Sequence, residues 1–291
     1  MSAPTTLELL FAALAESPTL HAHTTAFNRL CKPVARSLVA PLFSSAERVA
    51  QPFGPFGSIS LPYVKMGAID SLDLFGLDEL IIFAFYNVNR SRYRRVLDIG
   101  ANLGLHSIIL SRCGFEVRAF EPDPTHFGIL RGNLEANGAS SVSPTKAAVS
   151  TSDGEAQFVR VLGNTTGSHL VGSKDSYGEK ETFTVPTVAI EPLLGWADFA
   201  KIDAEGHERE LLLAATAKQL QRIDIMVEIG NPGNAKAVFE HLASIKVPMY
   251  AQKLGWRRVR DLADVPTSHR EGSLFITASD RMPWPAGGYA A

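Results

Sequence analysis

Val96-Leu-Asp-Ile-Gly-Ala-Asn-Leu-Gly-Leu-His106 is the stretch that decides how this chain folds. Val96 to Ile99 is a short apolar run carrying a single acid, Asp98, and it stops at Gly100, where the chain can turn without a Cβ in the way. Gly104 to Cys113 then reads as a helix, and Gly104 leaves room for the first helical amides to approach a ligand. A strand that passes through a glycine turn into a helix opens an α/β sheet, which takes its ligand beyond the carboxyl ends of the strands.

Working outward, the same alternation continues. Phe115–Phe120 reads as a second strand and Pro124–Asn137 as a helix stopped by Gly138. Val142–Val149 reads as a third strand, and Ala156–Val161 with Thr182–Val188 as a hairpin bracketing the polar loop Gly163–Lys180. Phe199–Asp203 is a fourth strand, followed by a helix from His207 to Leu220. Ile223–Ile229 is a fifth strand and Ala235–Ile245 a helix, with Val247–Lys253 and Leu274–Ala278 closing the sheet.

Towards the N-terminus the pattern changes. Leu77–Asn87 predicts a helix apolar nearly all round, and Ile59–Met66 a short strand or extended lead-in. Gln51–Gly57 is Pro/Gly punctuation, preceded by a helix over Leu7–Glu16 and one or two more over Thr24–Arg48, broken at Pro33 and Pro41. The expected fold is a doubly wound, mostly parallel seven-stranded sheet over 59–291, with its motif-bearing core at 96–230. An N-terminal helical extension occupies 1–58.

Composition narrows the class. Hydrophobic residues make up 45% of the 291, too many for a disordered chain. Lys plus Arg is 28 against 30 for Asp plus Glu, so there is no basic surplus of the kind nucleic-acid or anionic-membrane binders show. Two cysteines, Cys31 and Cys113, make neither a disulfide framework nor a thiolate metal cage. With no basic n-region and no apolar run of the ~20 residues that span a bilayer, the expectation is a soluble cytoplasmic protein.

Three strand ends carry chemistry. Asp98 stands before the first turn, where a carboxylate suits a positively charged ligand and repels a pyrophosphate. Glu121, at the end of the second strand, is placed to take both hydroxyls of a ribose. A dinucleotide fingerprint would need glycines where Asn102 and Leu105 stand. A cationic, ribose-bearing, phosphate-free ligand fits better, and S-adenosylmethionine is the common one. Asn102 itself reads equally as a left-handed turn residue or a ligand contact.

The fourth strand ends Lys201-Ile-Asp-Ala-Glu-Gly-His-Glu208, and the fifth in Glu228, followed by Gly230-Asn231-Pro232. Asp203 and Glu205 are two apart, so extended chain puts them on one side. Three readings stay open: they cap the next helix, one is a general base, or Asp203, Glu205, Glu228 and Asn231 hold Mg²⁺ or a similar hard cation. His207 is a further candidate base, and His106 is open in the same way.

Leu97–Ser107, Ala119-Phe-Glu-Pro-Asp123, Asn133 with Asn137, and Lys201–Glu208 together resemble the motifs of the FkbM family of S-adenosylmethionine-dependent methyltransferases, over roughly Leu77–Ile229. Asn164-Thr-Thr-Gly-Ser168 is similar to that family's polar loop. The resemblance implies a class I methyltransferase fold and O-methylation of a hydroxyl on a sugar, glycolipid, polysaccharide or polyketide. It implies that Asp98, Gly100, Asn102 and Gly104 surround the methionine part of the cofactor and that Glu121 holds the ribose. Asp123, Asn133 and Asn137 would then lie towards the adenine, with Asp203 and Glu205 facing the methyl and the acceptor. The rivals are a nicotinamide-dependent oxidoreductase and an inactive cofactor-binding scaffold. The N-terminal helices are expected to cover the acceptor or to form a homodimer interface.

Overall fold

The computed structural model describes residues 3–175 and 178–285. Helix α1 (Thr6–Glu16) opens on a capping box between Thr5 and Glu8 and buries Leu7, Leu10, Phe11 and Leu14. Helix α2 (Ala26–Phe43) is continuous, although Pro33 and Pro41 predict breaks. Each proline removes a ladder donor. Burial of Cys31, Ala35, Val39 and Phe43, spaced every four residues along one face, holds the helix together regardless. Strands β1 (Gln51–Pro52) and β2 (Ser58–Ile59) pair antiparallel around the Pro/Gly cluster. Helix α3 (Leu77–Val88) is buried nearly all round, as its sequence predicts.

The α/β alternation follows with β3 (Arg95–Ile99), α4 (Leu105–Arg112), β4 (Glu116–Phe120), α5 (Pro124–Ala136) and β5 (Val142–Thr145). The single strand predicted over Val142–Val149 divides. β5 stays on the edge of the main sheet, where Pro144 can stand without losing an interior ladder bond. β6 (Ala148–Ser150) turns away to pair with β9. The predicted hairpin is present as β7 (Gly154–Val161) against β9 (Lys180–Ala189), with the two-residue β8 (His169–Leu170) beside β7. The polar loop between them includes Ser176 and Tyr177, which lie outside the described residues.

Helix α6 (Ile190–Trp196) leads into β10 (Phe199–Ile202). The single helix predicted after it is two, α7 (Glu208–Ala214) and α8 (Ala217–Leu220), because Thr216 and Gln219 form a fresh capping box. Strand β11 (Asp224–Val227), helix α9 (Pro232–Ser244), and strands β12 (Met249–Ala251), β13 (Arg257–Arg258) and β14 (Leu274–Ile276) complete the chain.

The main sheet has eight strands rather than seven, in the order β13-β12-β14-β11-β10-β3-β4-β5. From β11 to β5 all neighbours are parallel, and the pairs β11–β14, β14–β12 and β12–β13 are antiparallel. From β3 the order runs one way through β4 and β5, and the other way through β10 and β11. The switch point therefore lies between β3 and β10, which is where an open sheet leaves a crevice. Alternation along the strands supplies both cores. Val96, Phe199 and Phe275 face a cluster shared with α1, α2, α3 and α4, while Leu97, Ile202 and Val227 face one shared with α6, α7 and α9. Among the described residues no helix is long and apolar enough to cross a membrane.

Candidate active site

A cleft of about 1000 Å³, counted with its solvent-open part, lies over the carboxyl ends of β3, β4, β10 and β11. Its floor is set by a close approach. Gly100 has φ of 78°, and a Cβ there would stand 1.8 Å from the Asp203 carbonyl oxygen, so only glycine lets β3 and β10 end side by side. The N–H groups of Gly100 and Ala101 both donate to the Phe120 carbonyl, at 3.0 and 2.9 Å, which ties the turn to the end of β4. Gly104 serves differently from its prediction. A Cβ there would meet Leu130 Cγ at 3.1 Å, so its bareness packs α4 on α5 rather than opening the cleft.

Of the residues expected to hold a cofactor, Gly100, Asn102, Glu121 and Asp123 line the cleft. Asn102 sits at φ 51°, and its N–H donates to Glu121 Oε2 at 2.8 Å. Its Oδ1 is buried without a partner among the described residues. Glu121 Oε1 accepts from the Asp123 N–H, also at 2.8 Å. Burial pushes the Glu121 carboxyl up to about 8 despite these two donors.

Three expectations are corrected here, for Asp98, Asn133 and Asn137, while Asp123 lines the cleft with its carboxylate already engaged. Asp98 is fully buried under the floor, where its Oδ2 accepts from Ser107 Oγ at 2.6 Å and Lys201 Nζ lies 3.9 Å from its Oδ1. Asp123 caps α5 and is forked by Arg160, with Nε and Nη2 each 2.6 Å from a carboxylate oxygen. The guanidinium holds that carboxyl below its ordinary value against the opposing effect of burial. Asn133 donates to the Leu103 carbonyl at 2.9 Å and Asn137 grips both backbone groups of Ser60 at 2.8 Å. Neither asparagine is in the cleft lining: they clamp α5 to the segments beside it.

At the other end stand Asp203, Glu205, His207 and Glu228. Lys201, buried on β10 in register with Asp98, reaches Asp203 Oδ2 at 3.4 Å and the Gly100 carbonyl at 3.3 Å. Glu205, at φ 50°, pairs with Lys174 from the polar loop. Burial and neighbouring Asp203 bring its carboxyl up to about 7. Glu228 is pushed well above its ordinary value by burial and by Asp203 and Glu79. His207 is engaged at both ring nitrogens, Nε2 with Ser150 Oγ at 3.2 Å and Nδ1 with Ser173 Oγ at 3.3 Å. Burial lowers its pKa.

The metal reading gains no support. Asn231 caps α9 through a 2.8 Å bond from the Asn234 N–H, and Asp203 and Glu205 already face lysines. Among the described residues no group of three or more His, Cys, Asp or Glu is arranged to hold a metal ion.

The sequence reading missed several contributors. Lys201 was visible as a cation inside an apolar strand. Glu208 takes the N–H groups of Ala204 and Gly206 at 2.9 and 3.0 Å, fixing the turn that presents Glu205. Glu79, Asp73 and His126 also line the cleft, and nothing local in the sequence marks them, whereas Thr165 belongs to the polar loop already singled out. The polar loop is strapped down: Ala68 N–H donates to the Gly163 carbonyl at 2.7 Å and Thr165 N–H to the Met66 carbonyl at 3.0 Å.

Fold and site together define an open α/β protein with an acid-lined ligand cleft at its switch point. The chain belongs to the FkbM methyltransferase family: the Methyltransferase FkbM domain profile matches residues 98–250, more than half of it. It is 30% identical over 163 residues to the hexuronic acid methyltransferase AglP of Haloferax volcanii, covering 54% of this chain and 64% of that relative's length. Among solved structures it is similar to the human methyltransferase 10 domain containing protein, at a TM-score of 0.44 and 14% identity, covering 87% of this chain and 97% of that one. The N-terminal domain of human METTL16 in complex with SAH gives 0.40 and 16%, covering 86% and 82%.

Proposed function

We propose that the chain transfers a methyl group from S-adenosylmethionine to a hydroxyl of a saccharide-type acceptor. The observation that carries this reading is Glu121. Each of its oxygens is anchored by one backbone N–H at 2.8 Å, which fixes the carboxylate and leaves it capacity to accept from a pair of vicinal hydroxyls. The unmet Oδ1 of Asn102 fits the same ligand, since a buried acceptor without a partner is what a bound donor satisfies. When bound, the cofactor supplies an electrophilic methyl on a sulfonium.

The chain's own residues supply position and field. Glu121 and Asn102 hold the nucleoside end. Lys201 steadies Asp203 and, through the Gly100 carbonyl, the turn beneath it. Asp203, Glu205 and Glu228 give the far end carboxyl groups that accept from hydroxyl donors, a lining suited to a polyol. The strap at 163–175 covers the cleft through Thr165, Thr166, Ser168 and Leu170 and limits water there. Family membership supports methyl transfer, and the hexuronic acid relative supports a sugar acceptor.

The test is a calorimetric titration with S-adenosylmethionine and with NAD, followed by assay of S-adenosylhomocysteine release over neutral saccharides, uronic acids and macrolides. Binding of S-adenosylmethionine alone, with turnover on a saccharide, is expected. Preference for NAD overturns the cofactor reading, and turnover on macrolides alone overturns the acceptor class.

A further inference from the structure

Among the carboxylates of the cleft, one is held by neighbours of a different kind. Glu79 lies in the first turn of α3 and lines the cleft. Its Oε2 is 2.8 Å from His106 Nε2, and the other ring nitrogen, Nδ1, is 3.0 Å from the Tyr86 hydroxyl. Glu79 and Tyr86 are seven residues apart on α3, two turns along one face, and they bracket His106 on the first turn of α4. An ionised carboxylate only accepts, so Nε2 carries the hydrogen, and Nδ1 is left to accept from the phenol. Burial keeps the Tyr86 proton in place by raising its pKa well above the ordinary value. The ring is also packed edge-on against Phe83, with centroids 4.9 Å apart.

The other carboxylates of the cleft are differently placed. The Glu228 side chain has no hydrogen bond among the described residues, but burial and neighbouring Asp203 and Glu79 push its carboxyl well above the ordinary value, towards the form that cannot take a proton. Glu121 is held by two backbone amides and Asp123 by Arg160. Glu205 and Asp203 face the ammonium groups of Lys174 and Lys201. Asp73 closes a capping box with Asp70 and pairs with Arg36. No hydrogen bond among the described residues reaches Glu79 Oε1.

We infer that Glu79 is the general base of the reaction, with His106 and Tyr86 as the positioning residues that fix its orientation. The inference rests on the methyl-transfer reading. As the acceptor oxygen forms its bond to the methyl, the C–S pair returns to sulfur and the hydroxyl proton passes to Glu79 Oε1.

Two measurements test this. In Glu79→Gln, turnover should fall roughly 10²–10⁴-fold while affinity for S-adenosylmethionine stays within about twofold. His106→Gln, which keeps an N–H near the Nε2 position, should retain more turnover than His106→Ala. Independently of turnover, ¹⁵N chemical shifts of His106 should show hydrogen on Nε2 and a bare Nδ1, a preference set by Glu79 and so retained in Tyr86→Phe but weakened in Glu79→Ala. Turnover of Glu79→Gln within about threefold of wild type, or hydrogen on Nδ1 in the wild type, overturns the inference. A wild-type protein that binds no S-adenosylmethionine overturns the functional reading and the base assignment together. One that binds and turns over but tolerates Glu79→Gln overturns only the base.

Discussion

The two ends of the cleft are built in opposite ways. At the Glu121 end, one carboxylate is anchored by two backbone amides from the adjoining turns, Asn102 and Asp123. At the Asp203 end, several carboxylates crowd together and are balanced by lysines, Lys201 from inside the sheet and Lys174 from the strap. Neutral, rigid donors make a fixed grip for a constant ligand. Paired charges at the mouth make a surface whose field shifts when a loop moves or an acceptor enters. The contrast suits a site that holds one cofactor and admits a variable second substrate.

The sharpest break of that contrast is Gly100→Ala, because both ends meet at this residue. A Cβ 1.8 Å from the Asp203 carbonyl, at φ 78°, forces β3 and β10 apart. The expected loss is about 4 kcal/mol of stability, read from denaturant midpoints, with cofactor binding abolished.

Next in size is Arg160→Ala, which strips the buried Asp123 carboxylate of its ion-pair partner. Breaking a buried pair costs about 3 kcal/mol or more. The Asp123 carboxyl sits below its ordinary value, so its stabilisation is present above the unfolded pKa of 3.8 and is lost as pH falls through the lower folded value. The variant should therefore show a weaker loss of melting temperature on acidification than wild type.

Glu121→Gln sharpens the near end. An amide accepts at only one oxygen, so one of the two backbone donors loses its partner, and cofactor affinity should drop roughly 10–100-fold. Burial raises the folded pKa from 4.5 to about 8, so stability from the protonated form is complete below 4.5 and lost as pH rises to about 8. Melting temperature should fall from pH 5 to pH 8.5, less steeply in Glu121→Gln. Hydroxyls donating to the ionised form make cofactor binding release a proton, so affinity should rise with pH up to about 8.

The smallest effect belongs to Lys174→Met at the far end. The Lys174–Glu205 pair is about a third exposed, so stability should change by under ~1 kcal/mol. Without the ammonium, the Glu205 carboxyl should move above its present value of about 7, and the acceptor KM should rise a few-fold while cofactor affinity holds.

Local signals read well here. The glycine turn after Ile99, the acid closing the second strand and the strand–helix alternation follow from dihedral freedom, hydrophobic period and turn chemistry, all properties of neighbours in sequence. They placed the cleft and eight of its lining residues, Gly100, Asn102, Glu121 and Asp123 at one end and Asp203, Glu205, His207 and Glu228 at the other. The same signals misjudged Asn133 and Asn137, since a polar residue near a ligand-binding turn looks alike whether it meets a ligand or a distant backbone. Asn137 finds Ser60, 77 positions away, and Asp123 finds Arg160 on the hairpin.

By itself, then, the sequence determined the layered sheet, the position of its crevice and the acid that closes β4 beside it. Tertiary structure alone decided that α2 continues past two prolines, that Asp98 lies beneath the floor, and that Glu79 shares His106 with Tyr86. The reason is physical: a residue's backbone preference is its own, whereas the partner that buries, neutralises or orients its side chain arrives from elsewhere in the chain only once the core has closed.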